Sequence, residues 1–230
     1  MAVAVITGVT RGIGYSIAQK FEKAYTIVGC GRNPERVKAI SELHPTWDIS
    51  CYNLANKEEA FAFADYILGK YVDLDILINN AGSFSASRIT DETDSIYEEM
   101  IAINLHSAYY LTKRMLPRFL AQKRGLIINI ASTASLTAYP KGSAYSIAKA
   151  ALLSLSRNLR LQLMPHGIRV SALILGATYT DSWKGTPHAS DRFISPEAVA
   201  ELLWCIAHLP SQAVVEEIIM RPLQGDILDT

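Results

Sequence analysis

The chain has little cysteine, and its few metal-binding side chains are scattered. Its three cysteines, Cys30, Cys51 and Cys205, lie far apart and show no CxxC spacing. We therefore expect three reduced, mostly buried thiols in a cytoplasmic protein. The five histidines form no cluster of the HExxH kind, which argues against a structural or catalytic metal.

The chain also lacks a net charge, because 22 Lys and Arg stand against 22 Asp and Glu among 230 residues. This balance disfavours nucleic acid and anionic membranes as partners. No apolar run approaches the roughly 20 residues that a membrane helix needs. Only Met1 and Ala2 precede the first strand-like run, so we expect no signal peptide and a cytoplasmic location.

Strand-like apolar runs alternate along the chain with amphipathic, helix-like stretches. This alternation predicts an α/β fold whose parallel sheet is covered on both faces. No repeat and no Pro/Gly/Ser-rich linker divides the sequence, so we predict one doubly wound domain over 1–230. The strands are predicted at 3–6, 25–28, 47–51, 74–78, 126–130, 168–174 and 214–220, and the helices at 13–20, 35–43, 56–71, 96–122, 144–163 and from 196 onward.

The stretch 178–193 shows little periodicity of either kind, and we predict a loop there. Long loops in such folds are often lids over a site. Two interpretations of its Tyr179, Trp183 and Phe193 stay open: they cover an apolar substrate, or they pack on the domain as a small satellite core. Pro117, inside the predicted helix 96–122, is a candidate kink.

The first strand–helix junction contains three closely spaced glycines in the run TGVTRGIG, residues 7–14. Glycine tolerates positive φ and lets a pyrophosphate approach the backbone. The helix N-terminus then presents free N–H groups to the phosphate. A glycine-rich turn without a ligand is the competing interpretation, but the place between a first strand and a helix favours a nucleotide. The predicted ligands are Gly8, Thr10, Arg11, Gly12, Ile13 and Gly14.

Tyr145 and Lys149 stand four residues apart in a predicted helix and therefore share one face. An ammonium group beside a phenol favours the phenolate, so we expect Lys149 to lower the pKa of Tyr145 from about 10. Such a pair is a usable acid or base near neutral pH. Ser132, which ends the fifth strand segment, and Asn104, unfavourable in a helix by propensity, are further candidates.

Four motifs in order resemble the short-chain dehydrogenase/reductase family over nearly the whole chain, including its members that are like 3-oxoacyl-[acyl-carrier-protein] reductase. They are the TGxxxGxG turn, the NNAG motif at 79–82, Ser132, and the YxxxK pair that begins at Tyr145. The resemblance implies a Rossmann fold with about seven parallel strands in the order 3-2-1-4-5-6-7. It also implies an oxidoreductase that moves a hydride between a nicotinamide cofactor and a carbonyl or alcohol.

The resemblance assigns roles to individual residues. Tyr145 would exchange the proton, Ser132 would bond the substrate oxygen, and Lys149 would bind the nicotinamide ribose. Asn104 would hold a water that links Lys149 to solvent. Leu175 replaces the family's usual proline before the segment that faces the nicotinamide. The remaining cofactor ligands would be Asn80, Ala81, Gly82, Gly176, Thr178 and Thr180.

The end of the second strand bears on the choice between the two nicotinamide cofactors. Gly31 stands where an acid that selects NAD(H) is expected, and Arg32 follows it. Arg32 and Arg11 would bind a 2′-phosphate through charge-assisted bonds, so we predict NADP(H), with NAD(H) as the alternative. The competing interpretation makes both arginines ordinary solvated residues. Asn53, in place of the family's usual Asp, and Leu54 would line the adenine.

The predicted helices 96–122 and 144–163 carry apolar residues beyond one narrow stripe. In the family, the matching helices form the interface of dimers and tetramers, so we expect a homo-oligomer, most often a homotetramer. A monomer with scattered apolar surface residues is the alternative. A non-catalytic NADP(H)-binding sensor or interaction protein is the competing function, and the complete set of Ser132, Tyr145 and Lys149 favours the enzyme.

Overall fold

A seven-stranded parallel sheet runs through the protein in the computed structural model, which describes residues 2–183 and 185–227. The strand order is β3-β2-β1-β4-β5-β6-β7, which confirms the predicted order. Each of the six strand pairings is parallel. The strands are β1 (Ala2–Thr7), β2 (Tyr25–Gly31), β3 (Asp48–Cys51), β4 (Ile76–Asn79), β5 (Gly125–Ser132), β6 (Ile168–Leu175) and β7 (Glu217–Met220).

Three of the helices begin at a capping side chain. The side-chain oxygens of Asn33, Asn56 and Ser195 each accept a hydrogen bond from a backbone N–H three residues further on. The three helices that follow these caps therefore start within one residue of their predicted positions. The helices are α1 (Gly12–Phe21), α2 (Pro34–Leu43), α3 (Lys57–Lys70), α4 (Asp94–Ile101), α5 (Ser107–Gln122), α6 (Ser143–Leu163) and α7 (Pro196–Ala207).

Two hydrophobic cores lie on opposite faces of the sheet, because successive strand residues point to opposite sides. On β1, Ala4 and Ile6 pack into the core formed with α1 and α7. Val3 and Val5 pack into the core formed with α3, α5 and α6. Both faces are therefore covered, which confirms the prediction of a doubly wound α/β fold.

The predicted helix 96–122 is divided into α4, a π-helical segment Ala102–His106, and α5. Pro117 lies inside α5 without ending it, so the irregularity occurs at Asn104 rather than at the proline. Nδ2 of Asn104 donates to the carbonyl oxygen of Met100 at 3.0 Å, the acceptor that its own backbone N–H would use in an α-helix. This competition favours the wider π-turn.

The loop 178–193 folds around Phe193, which is buried. The rings of Tyr179 and Trp183 lie 5.6 and 4.8 Å from the Phe193 ring. Short 3₁₀ turns occur at Asp181–Trp183 and Ser190–Arg192. The three aromatic side chains of the loop thus pack on one another, as the satellite-core interpretation expects.

The cysteines depart from the prediction of mostly buried thiols. All three are free, but only Cys30 is buried, and Cys51 and Cys205 are exposed. Cys51 ends the edge strand β3, and Cys205 lies on the outer face of α7. None of the described helices is long and apolar enough to cross a membrane. Among the described residues, no group of three or more His, Cys, Asp and Glu side chains could hold a metal ion.

Gly14 closes the turn between β1 and α1 by tight packing. A Cβ atom at Gly14 would lie 2.3 Å from the carbonyl oxygen of Gly8 and 2.6 Å from Nδ2 of Asn80. The backbone oxygen cannot yield without moving the turn, so we predict that Gly14→Ala lowers the free energy of unfolding by about 1–3 kcal/mol. Urea denaturation followed by circular dichroism measures this change.

The matched control is Gly69→Ala in α3. No described atom lies within 4 Å of a Cβ at Gly69. Alanine restricts the unfolded chain and suits a helix, so this variant should gain roughly 0.5–1 kcal/mol of stability. Equal effects of the two substitutions would contradict the packing argument for Gly14.

Candidate active site

A cleft of about 810 Å³ lies at the carboxyl ends of the strands. Its floor is the place where the strand order reverses between β1 and β4, the usual ligand crevice of open α/β sheets. The structure brings nearly all of the predicted site residues together there. Those that line the cleft are Gly8, Thr10, Arg11, Gly12, Ile13, Arg32, Asn53, Leu54, Asn80, Ala81, Gly82, Asn104, Ser132, Tyr145, Lys149, Gly176, Thr178 and Thr180.

One predicted ligand does not reach the cleft surface, and several residues that line it were missed. Gly14 is buried beneath the turn, against Gly8, so its part is to shape the backbone. Ser83 and Asp181 directly follow predicted residues, and Phe84 comes next after Ser83, so this adjacency was the signal for them. Tyr139 and Ile227 have no such signal in the sequence. The missed lining residues with polar or bulky side chains include Tyr52, Ser83, Phe84, Tyr139, Asp181 and Ile227.

The glycine-rich turn leaves its backbone available to a ligand. Gly8 and Gly12 have φ values of +68° and +54°, a left-handed conformation that favours glycine. Arg11 precedes α1 as its N-cap residue, and its side chain forms no capping hydrogen bond within the described structure. The first N–H groups of α1 therefore remain available to an anion, and the turn fits the pyrophosphate of a dinucleotide.

One end of the cleft, lined by Arg11, Arg32 and Asn53, is the place where the resemblance puts the adenosine, and we call it the adenosine end. Its arginines are paired with acidic side chains. Nη1 of Arg11 lies 2.8 Å from Oδ2 of Asp181, and Nη1 of Arg32 lies 3.8 Å from Oε1 of Glu99. Both arginine side chains are more than half exposed. A Cβ at Gly31 would meet the methyl group of Thr10 at 2.6 Å, so Thr10 disfavours a side chain at this position.

Ser132 and Tyr145 meet above the end of β5. Ser132 is the last residue of β5, and its Oγ accepts a hydrogen bond from the backbone N–H of Ala134 at 3.1 Å. The Ser132 hydroxyl group lies near enough to the Tyr145 phenol to oppose the effect of burial on its pKa. The ring of Phe84 packs edge-on against Tyr145, with 5.2 Å between the ring centres. A serine hydroxyl and a phenol thus face the same part of the cleft.

Lys149 lies one helical turn after Tyr145, below its ring. Nζ of Lys149 is 5.8 Å from the centre of the Tyr145 ring and donates to the carbonyl oxygen of Ile130 at 2.8 Å. The Lys149 side chain is buried, with 4% of the residue exposed. The ammonium group is therefore held within the cleft floor by a neutral acceptor.

Burial dominates the titration of both groups. It raises the pKa of Tyr145 to about 12, against the opposing effect of the hydrogen bond to Ser132. It lowers the pKa of Lys149 to about 8. The expectation that Lys149 depresses the pKa of Tyr145 is therefore wrong for this structure, because desolvation favours the neutral form of each group.

Asn104 connects the π-helical segment to the NNAG turn. Its Nδ2 donates to the carbonyl oxygen of Ser83 at 2.9 Å, and its Oδ1 accepts from the Ser83 backbone N–H at 3.3 Å. A Cβ at Gly82 would lie 2.7 Å from Oδ1 of Asn104 and 3.5 Å from Nζ of Lys149. The glycine therefore permits the close approach of Asn104 and Lys149 to this turn.

A comparison with known proteins places this geometry in a family. The family model of the short chain dehydrogenases matches residues 2–191. The chain belongs to the short-chain dehydrogenase family. An uncharacterized oxidoreductase of Staphylococcus saprophyticus is 30% identical over 227 residues, which cover 96% of this chain and 97% of the relative.

Two further members of the short-chain dehydrogenase family have more specific descriptions. The NADP-dependent 3-hydroxy acid dehydrogenase YdfG of Salmonella typhi is 29% identical over 238 residues, covering 96% of this chain and 95% of its own. A solved alcohol dehydrogenase from the archaeon Thermococcus sibiricus, complexed with 5-hydroxy-NADP, matches with a TM-score of 0.88. It is 26% identical and covers 99% of both chains.

The lowered pKa of Lys149 predicts a stability that depends on pH. Below pH 8 the folded protein buries an ammonium group, so we predict that Lys149→Met raises the free energy of unfolding at pH 7 by up to about 3 kcal/mol. Between pH 8 and 10.5 only the unfolded wild type keeps this proton, so wild-type stability rises relative to the variant and the gain shrinks. Urea denaturation of both proteins at pH 7, 9 and 10 measures this difference in the free energy of unfolding.

The control for this prediction is Lys38→Met on α2. The Lys38 side chain is 79% exposed, so its removal should change stability little and equally at all three pH values. A Lys149→Met effect that does not vary with pH would contradict the burial argument.

Proposed function

We propose that the protein is an NADP(H)-dependent oxidoreductase that interconverts a carbonyl compound and a secondary alcohol. The observation that carries the proposal is the convergence of Ser132, Tyr145 and Lys149 in the same cleft as the glycine-rich turn. We further propose that residues 1–230 form one dinucleotide-binding domain, with the loop 178–193 as its lid.

The chain's own groups would move the proton. When bound, the nicotinamide supplies or accepts the hydride. The Tyr145 phenol would donate its proton to the carbonyl oxygen during reduction and take it back during oxidation. The hydroxyl of Ser132 already accepts from Ala134 N, so its own proton is available to hold the same oxygen. The two hydroxyl groups would together place the reacting oxygen.

Lys149 and Asn104 would connect Tyr145 to solvent. Lys149 is buried below Tyr145. After Tyr145 has given up its proton, a new proton would reach the phenol from the side of Lys149. The π-helical segment interrupts the regular α-helical hydrogen bonds at Asn104, close to the NNAG turn, where a Cβ at Gly82 would lie 3.5 Å from Nζ of Lys149. We propose that Asn104 holds the water of a proton relay at this break.

The adenosine end supports NADP(H) over NAD(H). Arg11 and Arg32 both line the cleft there, and Gly31 occupies the position of the acid that would repel a 2′-phosphate. The Salmonella relative is described as NADP-dependent, and the Thermococcus alcohol dehydrogenase binds an NADP derivative. The glycine-rich turn would hold the pyrophosphate, and the adenine would lie by Asn53 and Leu54.

The reacting end of the cleft suits an apolar carbonyl substrate. Phe84 packs against Tyr145, and the hydroxyl of Tyr139 bonds Oγ1 of Thr133, next to Ser132. Trp183 and Ile227 add apolar surface to the same cleft. We propose a ketone or aldehyde with an apolar body, because such walls favour burial of apolar surface over charged groups.

The outer helices support a homo-oligomer. Tyr97 on α4, Tyr109 on α5, and Ile147 and Leu161 on α6 are large hydrophobic residues that are exposed. Apolar side chains on neighbouring helices are common at symmetric interfaces. We propose a cytoplasmic homodimer or homotetramer assembled through these helices.

NADPH oxidation over a panel of carbonyl compounds tests the function directly. We expect turnover with apolar ketones or aldehydes, and we expect Tyr145→Phe to lower it by about 10²–10⁴-fold, because the phenol is the proton donor. NADPH binding, followed by nicotinamide fluorescence, should remain close to that of the wild type.

The matched control is Tyr179→Phe, which removes a hydroxyl group from the loop outside the cleft lining and should keep its activity. Full activity of Tyr145→Phe would contradict the mechanism. If the wild type bound the cofactor but turned over no compound of the panel, the result would favour the alternative function, a non-catalytic NADP(H)-binding sensor or interaction protein.

Arg32→Ala tests the cofactor preference. Loss of one charge-assisted bond should weaken NADPH binding by about tenfold and leave NADH binding nearly unchanged. The control is Arg114→Ala, another exposed arginine, which pairs with Asp65 away from this cleft. An unchanged ratio of the two dissociation constants in Arg32→Ala would remove Arg32 from the phosphate site.

A further inference from the structure

A carboxylate of the loop 178–193 lies against two arginines at the adenosine end of the cleft. Oδ2 of Asp181 is 2.8 Å from Nη1 of Arg11 and 3.8 Å from Nη1 of Arg36. Arg11 belongs to the glycine-rich turn, and Arg36 lies in the first turn of α2, directly after β2. Arg11 and Asp181 line the end of the cleft where the proposed function places the 2′-phosphate, and Arg36 adjoins it through Asp181 without being one of its lining residues.

The two guanidinium groups share one acceptor atom, so they stand within about 7 Å of each other by the sum of these distances. Two like charges so close repel each other, and an anion between them lowers this repulsion. Asp181 provides one negative charge, and a 2′-phosphate would bring more charge and three acceptor oxygens. The phosphate and the carboxylate therefore compete for the same guanidinium groups.

The carboxylate also ties the loop to the turn. Thr180, next to Asp181, packs on the turn, because a Cβ at Gly12 would lie 3.3 Å from its methyl group. Trp183, two residues further on, both lines the cleft and packs on Phe193 in the loop core. A change at Asp181 is thus transmitted to the part of the loop that faces the cleft.

We propose that Asp181 is an electrostatic latch that holds the loop 178–193 on Arg11 and Arg36, and that the 2′-phosphate of NADP(H) displaces it. The proposal rests on the proposed function. It adds Arg36 to the phosphate site, and it makes Asp181 a residue that determines cofactor specificity. NAD(H), which has no 2′-phosphate, leaves the latch closed.

Binding of adenosine nucleotides to Asp181→Asn tests the latch without turnover. Removal of the competing carboxylate should strengthen binding of 2′,5′-ADP by about twofold to fivefold, the range for an exposed ion pair, and leave 5′-AMP binding unchanged. The control is Asp191→Asn, an exposed carboxylate of the same loop, which removes the same charge at another place. Isothermal titration calorimetry gives the dissociation constants.

Hydrogen–deuterium exchange of the loop gives a second readout. In the free protein, residues 178–183 of Asp181→Asn should exchange faster than those of the wild type and of Asp191→Asn. Addition of 2′,5′-ADP to the wild type should raise exchange to the level of Asp181→Asn, and 5′-AMP should not. The short nucleotide carries the phosphate but no nicotinamide, so the effect must arise at the phosphate site.

Three results would overturn the latch, and only the third would also overturn the NADP(H) proposal. Weaker binding of 2′,5′-ADP by Asp181→Asn would show that Asp181 orients Arg11 for the phosphate, which overturns the latch. Binding and exchange equal to those of Asp191→Asn would overturn it as well, with the NADP(H) proposal intact. A wild type that does not distinguish 2′,5′-ADP from 5′-AMP would overturn the NADP(H) proposal and the latch with it.

Discussion

Hydrogen bonds between Thr7 and the turn after β4 hold the carboxyl ends of β1 and β4 together. Oγ1 of Thr7 accepts from the backbone N–H groups of Asn80 and Ala81 at 2.9 and 2.8 Å, and Nδ2 of Asn80 donates to the Thr7 carbonyl oxygen at 2.8 Å. The strand order reverses at this pair, so the crevice opens here. The glycine-rich turn and the NNAG motif are thereby fixed in one frame, and the rest of the cleft is built around it.

The buried Lys149 in the cleft floor lowers the stability of the folded protein. A lysine that is almost fully buried costs folding energy, and the carbonyl oxygen of Ile130 compensates for only part of its lost hydration. The same desolvation keeps the Tyr145 phenol neutral. A charged Lys149 would oppose the effect of burial on the pKa of Tyr145, because an ammonium group near a phenol favours the phenolate. The expectation drawn from the YxxxK spacing considers only that charge effect and leaves out burial.

The sequence was sufficient to predict features that depend on local patterns. Three capped helix starts and the predicted residues of the cleft follow from short motifs at the ends of apolar runs, whereas the strand order came from the resemblance to the family. The π-turn at Asn104 could not be predicted, because it depends on contacts with Met100 and with Ser83, 21 residues away. The pairing of Arg11 with Asp181 spans 170 residues, and burial at Tyr145 is a property of the packed fold. Such features need the tertiary structure.

The pairing of the arginines also explains how a chain without net charge can favour an anionic ligand. Arg11 and Arg36 share Asp181, and Arg32 faces Glu99 at 3.8 Å. The two carboxylates therefore offset part of the positive charge of these three arginines before any ligand arrives. Under the proposed latch, a phosphate would exchange with a protein carboxylate rather than add to a free cation. If the latch operates, discrimination at this end depends on the difference between two sets of ion pairs, so the carboxylate of Asp181 would contribute to cofactor choice together with the arginines.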